Sequence, residues 1–589
     1  MKEKKYLIFS TVLLIALLVF GVSYSFYKAR IEGDTKTISL KTKGIYLLYK
    51  GDLSLVNESI EPGWSITKTF TIENQSSSEE KYNIYIKDLV NTFETSGYLQ
   101  YKITSTNSGY NMTEYKDIPK SSTATDTVLA YNVTVAAKTS QVYTIELRYL
   151  DTDNDQSADM NKTLSGLLMI KEGSYPSLTY VMLRDNPTVS EKTNFGSMSG
   201  SNTTGTIFQT NKTEDGSTVY FYSENTTNNW VKFGKEINAN CSYDGNQVNY
   251  GIYNEETSYF KEIRKVASGN ECVSTNVCSG GSRLGQIIGL TEEQCGNIGG
   301  TWTTEKATYN GMIENDIYWR VIRTNEDKSV RLLYSGNSHD TTSGYIGMSS
   351  FNAINNSMYV GYMYGTSGSL TNNRTNTNDS IIKAFIDKWY EDTLLNVYDK
   401  YISKSAIYCN DRSIASNESG RYDYGSYQRS FYNVEPYFRP SYKCGDDGSG
   451  GLFESTQAVA DKFSASTAGG GNGQLKYPIA LMTSDELYFA GGAGAYVVDP
   501  SPWYLTNSQE EVITAINRWW TLSPYYSTDT DAYVLYVDGG RMPGYMYTTT
   551  VDNIMAVRPA ISLSSCVGIK SGNGTPESPY EVDYTGSCN

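Results

Sequence analysis

The sequence predicts a multi-domain chain: an N-terminal membrane or export helix, then an all-β sandwich, then a larger α+β domain. Three observations predict it. The 589 residues exceed what one core usually holds, since single cores stop growing near ~250–300 residues. A lysine-flanked apolar run opens the chain. Short alternating patterns then fill residues 36–172, whereas beyond Leu178 strand patterns mix with two capped helices.

The first element is the apolar run from Tyr6 to Val22, preceded by Lys2, Lys4 and Lys5. A positive segment before an apolar stretch of that length marks export or a marginal bilayer span. The positive-inside rule places the lysines in the cytoplasm and the rest of the chain outside. Residues 1–27 are therefore read as a signal peptide or membrane anchor. Ser23 and Ser25 are spaced like a cleavage site. The C-terminus, Gly586 to Asn589, carries neither a hydrophobic tail nor a wall-sorting signal. Retention would then rest on residues 6–22 in the membrane. The expected location is the extracellular face of the cell envelope, anchored or secreted.

Composition narrows the chemistry. A net charge of -15 argues against nucleic acid as a partner, because phosphates require a basic footprint. His339 is the single histidine, which leaves little material for imidazole catalysis or His-rich metal sites. No Gly-x-Ser-x-Gly elbow with a usable histidine, no phosphate-binding loop and no His-Glu-x-x-His is present. No enzyme activity, cofactor or metal is expected. Eight cysteines stand at Cys241, Cys272, Cys278, Cys295, Cys409, Cys444, Cys566 and Cys588. An even number in an exported chain favours disulfides. Sequence proximity favours Cys409–Cys444 and Cys566–Cys588, with the other four pairing locally; buried free thiols are the alternative.

Residues 28–172 form the expected sandwich. Tyr82, Ile84 and Ile86 alternate, as do Tyr143, Ile145, Leu147 and Tyr149, which is the period of half-buried strands. Pro62-Gly63-Trp64 makes a turn, and Ile66 to Asn74 follows as a strand. Asp151, Asp153, Asp155 and Asp159 could suggest calcium, but Gln156 and Lys162 stand where an EF-hand loop needs Gly and Glu. A solvated acidic turn is the better reading. On the export segment, Pro62-Gly63-Trp64, Asn74, and Asp151 to Asp155 before Leu164-Ser165-Gly166, residues 1–172 resemble the biofilm matrix fibre and camelysin family of Firmicutes. That resemblance implies a secreted β-sandwich able to join or decorate fibres.

Residues 173–178 read as a linker, and 179–570 as the α+β domain. Tyr318 to Arg323 and Val330 to Tyr334 flank a polar turn, a hairpin signal. Residues 235–316 hold four cysteines and read as an insertion. Asn378-Asp379-Ser380 caps a helix whose apolar face is Ile382, Phe385, Ile386 and Trp389, and which is expected to run past Leu394 toward Tyr401-Ile402. Thr483 and Glu486 form a capping box for a second helix, stopped by Gly491-Gly492. Residues 571–589 read as a C-terminal tail.

The stretch from Arg518 to Leu563 is read as the functional segment. Apolar anchors, Trp519-Trp520 and Val557 to Leu563, bracket a middle of Tyr, Ser, Thr and Asp. Tyr supplies large rigid contact area and the small polar residues supply adaptable hydrogen bonds. The candidate binding residues are Tyr525, Tyr526, Asp529, Asp531, Tyr533, Tyr536, Tyr545, Tyr547, Asp552 and Asn553.

Tyr318-Trp319-Arg320, Cys409 to Ser413, Thr483 to Glu486, Trp519-Trp520 with Ser523-Pro524, and Val557 to Ala560 resemble a surface-protein family of gut Firmicutes. That family is related to the C-type-lectin-like fold of formylglycine-generating enzymes. The resemblance spans residues 178–589 and implies a lectin-like scaffold whose loops bind a glycan or protein on another cell or host surface. The same fold serves as the target of diversity-generating retroelements, which vary Asn, Tyr, Asp, Ser and Thr codons in a terminal segment. Residues 525–553 suit such variation. Two other readings stay open. One is a structural subunit of an extracellular fibre, marked by a pairing-competent edge between residues 36 and 60. The other is an oxidase of the formylglycine-generating kind, with Cys409 and Cys444, or Cys566 and Cys588, as a copper-holding pair.

Overall fold

The computed structural model describes residues 37–41, 46–51, 54–56, 59–193, 195, 201–243, 246–247, 252–254, 259–261, 276–279, 301–304, 308–339, 344–366, 375–412, 414–418, 421–426, 440–444, 461–494, 518–539, 543–586 and 588. The export segment lies outside these residues. Among those described, no helix is long and apolar enough to cross a membrane. The molecule is mostly β and divides into two compact units, Met1–Tyr175 and Pro176–Asn589.

In unit 1 the strands are β1 (Thr37–Lys41), β2 (Tyr46–Gly51), β3 (Ser65–Asn74), β4 (Glu80–Asn91), β5 (Leu99–Ser105), β6 (Lys116–Asp117), β7 (Ser121–Val135), β8 (Ser140–Tyr149) and β9 (Leu164–Glu172). They form two antiparallel sheets, ordered β1-β2-β3-β8-β5-β6 and β7-β4-β9, around one core. Alternation explains β8: Tyr143, Ile145, Leu147 and Tyr149 are all buried, with polar residues between them. The strand entry read at Pro62-Gly63 is a tight turn. Gly63 takes φ +84, a conformation glycine adopts without penalty, and its amide donates to the Tyr149 carbonyl at 2.9 Å. Asn74, almost fully buried, donates to the carbonyls of Ser78, Val135 and Ala136 and so ties three chain segments together.

Two features of unit 1 bear on later readings. β1 pairs β2 and closes one end of its sheet, whereas the outer side of β9 is covered by a bridge from Ser54 to Leu167. Within the acidic loop, Asp159 is buried and accepts from the Glu94 and Thr95 amides and the Tyr149 hydroxyl. Burial opposes its charge, but those amides outweigh it and hold the carboxyl below its usual range. Asp159→Ala should therefore destabilise unit 1 by about 1–3 kcal/mol, the cost of leaving buried donors unpaired. Hydrogen exchange in peptides covering 93–97 should rise first; unchanged protection there would contradict the role. Because this pKa is depressed, its stabilisation is present above the unfolded value of ~3.9 and fades as pH falls through the folded one.

Unit 2 opens with α1 (Leu178–Asp185), capped by Ser177. Then come β10 (Thr188–Glu191), β11 (Thr206–Thr210), β12 (Val219–Phe221) and two long strands, β13 (Trp230–Tyr243) and β14 (Thr308–Thr324). The ends of the expected insertion are thus strand, with Lys235 opposite Asp316 and Ser242 opposite Thr308. The hairpin read from sequence is β14 with β15 (Val330–Tyr334). Later come β16 (Met348–Ser350), α2 (Ile381–Thr393), β17 (Ile414–Glu418), β18 (Arg421–Tyr424), β19 (Ile479–Leu481) and α3 (Ser484–Phe489). The chain finishes with β20 (Arg518–Thr528), β21 (Ala532–Asp538), β22 (Tyr545–Thr550), β23 (Ile554–Ala556), β24 (Pro559–Leu563), β25 (Ile569–Ser571) and β26 (Tyr580–Val582).

One sheet runs β10-β11-β12-β14-β13-β26-β25, with β15, β24 and β19 branching from β14. A second runs β16-β23-β20-β18-β17, with β21 on β20 and β22 on β21. The stretch expected as a tail is built into the first sheet: Tyr580 lies parallel to Val231, and Tyr580 and Val582 are fully buried. α2 starts at the Ser380 cap, as its sequence indicates, but ends at Thr393. It stops short because the Leu394 and Leu395 amides both bond the Tyr390 carbonyl, which breaks the regular ladder. The capping box of α3 is complete, and Gly491 at φ +100 ends that helix. The pairs Cys409–Cys444 and Cys566–Cys588 are disulfides; the pairing expected for Cys241, Cys272, Cys278 and Cys295 lies outside the described side chains.

Candidate functional site

The candidate segment folds as β20, β21 and β22, one antiparallel ladder. Trp520 faces Tyr536, Tyr526 faces Tyr533, Tyr536 faces Tyr547, and Asp538 faces Tyr545. The anchor reading holds at residue level, since Trp519 and Trp520 are fully buried. Trp520 donates its indole N–H to the Ser349 carbonyl at 2.9 Å and meets Phe351 edge-on at 5.6 Å.

The ladder sorts the tyrosines into two groups. Tyr533 and Tyr536 are three residues apart on a regular strand, and successive residues point to opposite faces, so these two rings take opposite sides. Tyr526 and Tyr533 therefore stack with each other at 4.3 Å, and a register shift between Pro524 and Tyr526 leaves Tyr525 beside Tyr526 at 4.9 Å. On the other face Tyr536 stacks on Tyr547 at 5.6 Å, and Tyr545 lies 4.0 Å from Tyr547. Exposure separates them again. Tyr525, Tyr536 and Tyr545 are 8%, 7% and 5% exposed, which makes them packing residues first, whereas Tyr526, Tyr533 and Tyr547 are half-buried.

The polar candidates have structural duties. Asp531 accepts from Thr528, Thr530 and Asn355, and Asn355 in turn accepts from the Ala532 amide, so this group sets the β20–β21 turn. Asp552 accepts from the Thr550 hydroxyl, and Asn553 donates to Thr549 and Thr550 at the end of β22. Asp529 is exposed at the turn tip.

Sequence reasoning missed Arg421. It comes from β18, more than a hundred residues upstream, and its guanidinium lies over the Tyr526 ring at 4.0 Å while bonding Asp423. β18 pairs β20 so that Asp423 faces Tyr526. Arg421, Tyr526 and Tyr533 thus form a continuous cation–aromatic ladder across β18, β20 and β21. Burial and the Tyr533 hydroxyl push the Tyr526 pKa up to about 12. Arg518 takes the matching place over Tyr536 at 5.5 Å. No local sequence signal pointed to Arg421; only strand pairing brings it there.

Beside the Cys409–Cys444 bridge lies a small cavity of about 10 Å³ whose lining includes Arg323, Asp411, Asp485 and Ser523. That is room for about one water. No family model, no curated protein and no solved structure matches the chain.

Proposed function

We propose that the protein is a cell-envelope binding protein: an N-terminal export or anchor segment, a camelysin-like β-sandwich, and a C-type-lectin-like domain that recognises a glycan or protein on another cell or host surface without covalent chemistry. The observation that carries this reading is the Arg421–Tyr526–Tyr533 ladder. Stacked tyrosines on paired strands give large contact area at low entropic cost, and an arginine stacked on them adds a directional donor. The way β26 returns beside β13 supports a scaffold closed at its ends and free to carry long loops. A retroelement acting on codons 525–553 would alter the packed Tyr536 and Tyr545 as well as the surface pair.

The test is a glycan and host-protein binding screen of the full chain, followed by Tyr526→Ala and Tyr533→Ala. A specific hit should weaken about 10–100-fold in either variant, since an aromatic anchor carries ~1.4–3 kcal/mol of binding, with thermal stability nearly unchanged. A hit indifferent to both variants would move the binding surface elsewhere.

The fibre reading is favoured by one observation, that β1 is the terminal strand of its sheet among the described residues, since a sheet edge offers backbone groups to another chain. The oxidase reading would require reduction first: both candidate cysteine pairs are joined as disulfides, and copper needs thiolates.

A further inference from the structure

We infer that unit 2 carries a second binding site, a groove for one neutral pyranose ring, where β10 and β11 end beside α3. The groove measures about 240 Å³, below the ~300–1,000 Å³ of sites for drug-sized ligands, so it suits a one-ring ligand. None of its lining residues lies on β20, β21 or β22, which makes it independent of the tyrosine ladder.

Its chemistry is that of a sugar site. Phe195, half-buried, lines the groove and meets the fully buried Phe489, from the end of α3, edge-to-face at 5.4 Å, which backs its ring. The electron-rich face of such a ring attracts the polarised C–H groups of a pyranose. Around them stand Gln209, Asn211, Glu191 and Thr218. Amides and hydroxyls both donate and accept, and a carboxylate accepts twice, which matches adjacent sugar hydroxyls that are each donor and acceptor. An anionic ligand fits less well, because Lys192 is buried against Glu224 with its charge already paired, and the Glu191 carboxylate lines the groove together with the exposed Lys212.

The walls are held before any ligand arrives. Glu191 lies opposite Gln209 in the parallel β10–β11 pair. The loop after β11 is fixed at three points: the Tyr442 amide donates to the Lys212 carbonyl at 2.9 Å, the Thr213 hydroxyl to the Ser217 carbonyl at 2.8 Å, and Lys462 pairs with Glu214 at 2.7 Å. Preorganised polar groups cost little ordering entropy on binding.

Saturation-transfer NMR of the full chain against glucose, galactose, mannose, fucose and N-acetylglucosamine, with glucuronate and inorganic phosphate as anionic controls, tests this. At least one neutral pyranose should bind with a Kd of about 1–10 mM. Gln209→Leu and Asn211→Ala should each weaken it at least about fivefold at unchanged melting temperature, while Tyr526→Ala leaves it intact. Asn211 is exposed, so its variant remains informative if Gln209→Leu fails to fold. Absence of any neutral pyranose at about 50 mM, binding of the anionic controls only, or binding that survives Asn211→Ala would each overturn the proposal. Loss with Tyr526→Ala alone would assign the sugar to the tyrosine ladder instead.

Discussion

Trp520→Ala should unfold unit 2 at moderate temperature. The ring is fully buried, its N–H is paired with Ser349, and Phe351 packs on its edge. Replacing a buried Trp with Ala typically costs ~3–5 kcal/mol in lost transfer energy and residual cavity. A folded unit commonly holds only ~5–15 kcal/mol. The vacated indole also leaves the Ser349 carbonyl without that donor. Circular dichroism melts of the wild type, Trp520→Ala and Tyr526→Ala form the comparison. Tyr526, half-buried, should change stability by no more than ~1 kcal/mol. Tyr525→Ala should fall with the tryptophan, because that ring is packed rather than presented. Equal melting of Trp520→Ala and Tyr526→Ala would break the distinction between scaffold and contact residues.

Glu486→Gln should be comparably severe for a different reason. Glu486 lies in α3 with its Oε1 at 3.1 Å from Arg323 Nε and 3.3 Å from Arg331 Nη1, and all three side chains are buried. Its other oxygen accepts from the Thr483 amide at 3.0 Å and completes the capping box. Neutralising the carboxylate leaves the buried Arg331 without that counter-charge and Arg323 dependent on Glu326 at 3.5 Å. Removing one partner of a buried ion pair costs ~3–5 kcal/mol, mostly from the charge left behind. Burial alone would raise the Glu486 pKa, but Arg331 and Arg323 outweigh it and hold the carboxyl below its usual range. The sign follows: its stabilisation is complete above the unfolded value of ~4.3 and is lost as pH falls through the lower folded value. The gap between wild type and Glu486→Gln in chemical denaturation should therefore be widest near neutral pH and close in acid. A gap independent of pH would show that the carboxylate charge is not what stabilises the site.

Sequence reading and structure part company at identifiable places. The Ser380 cap, the Thr483–Glu486 capping box, the Tyr318–Tyr334 hairpin and the alternation of β8 were legible because each depends on contacts within a few residues. So were the neighbouring cysteine pairs Cys409–Cys444 and Cys566–Cys588, although proximity offers only a preference. The end of α2 was misread, because its apolar spacing continues past Thr393 while its hydrogen bonds do not. Residues 571–589 looked like a tail because nothing local shows that Tyr580 will pair with Val231, across some 350 positions.

By itself, then, the sequence determined the mostly β character, the helix starts, the paired tryptophan anchors and the aromatic, polar chemistry of residues 525–553. It did so through periodicity, capping and composition, all of which act over short spans of chain. The tertiary structure alone decided which tyrosines share a face, because a strand's register across its neighbours sets which side each ring takes. It also decided that Asp531, Asp552 and Asn553 are committed to turns, that Arg421 stacks on Tyr526, and that Glu486 balances Arg323 and Arg331. Each of these depends on strands or helices far apart in sequence coming within hydrogen-bonding distance, and no pattern along the chain encodes that meeting.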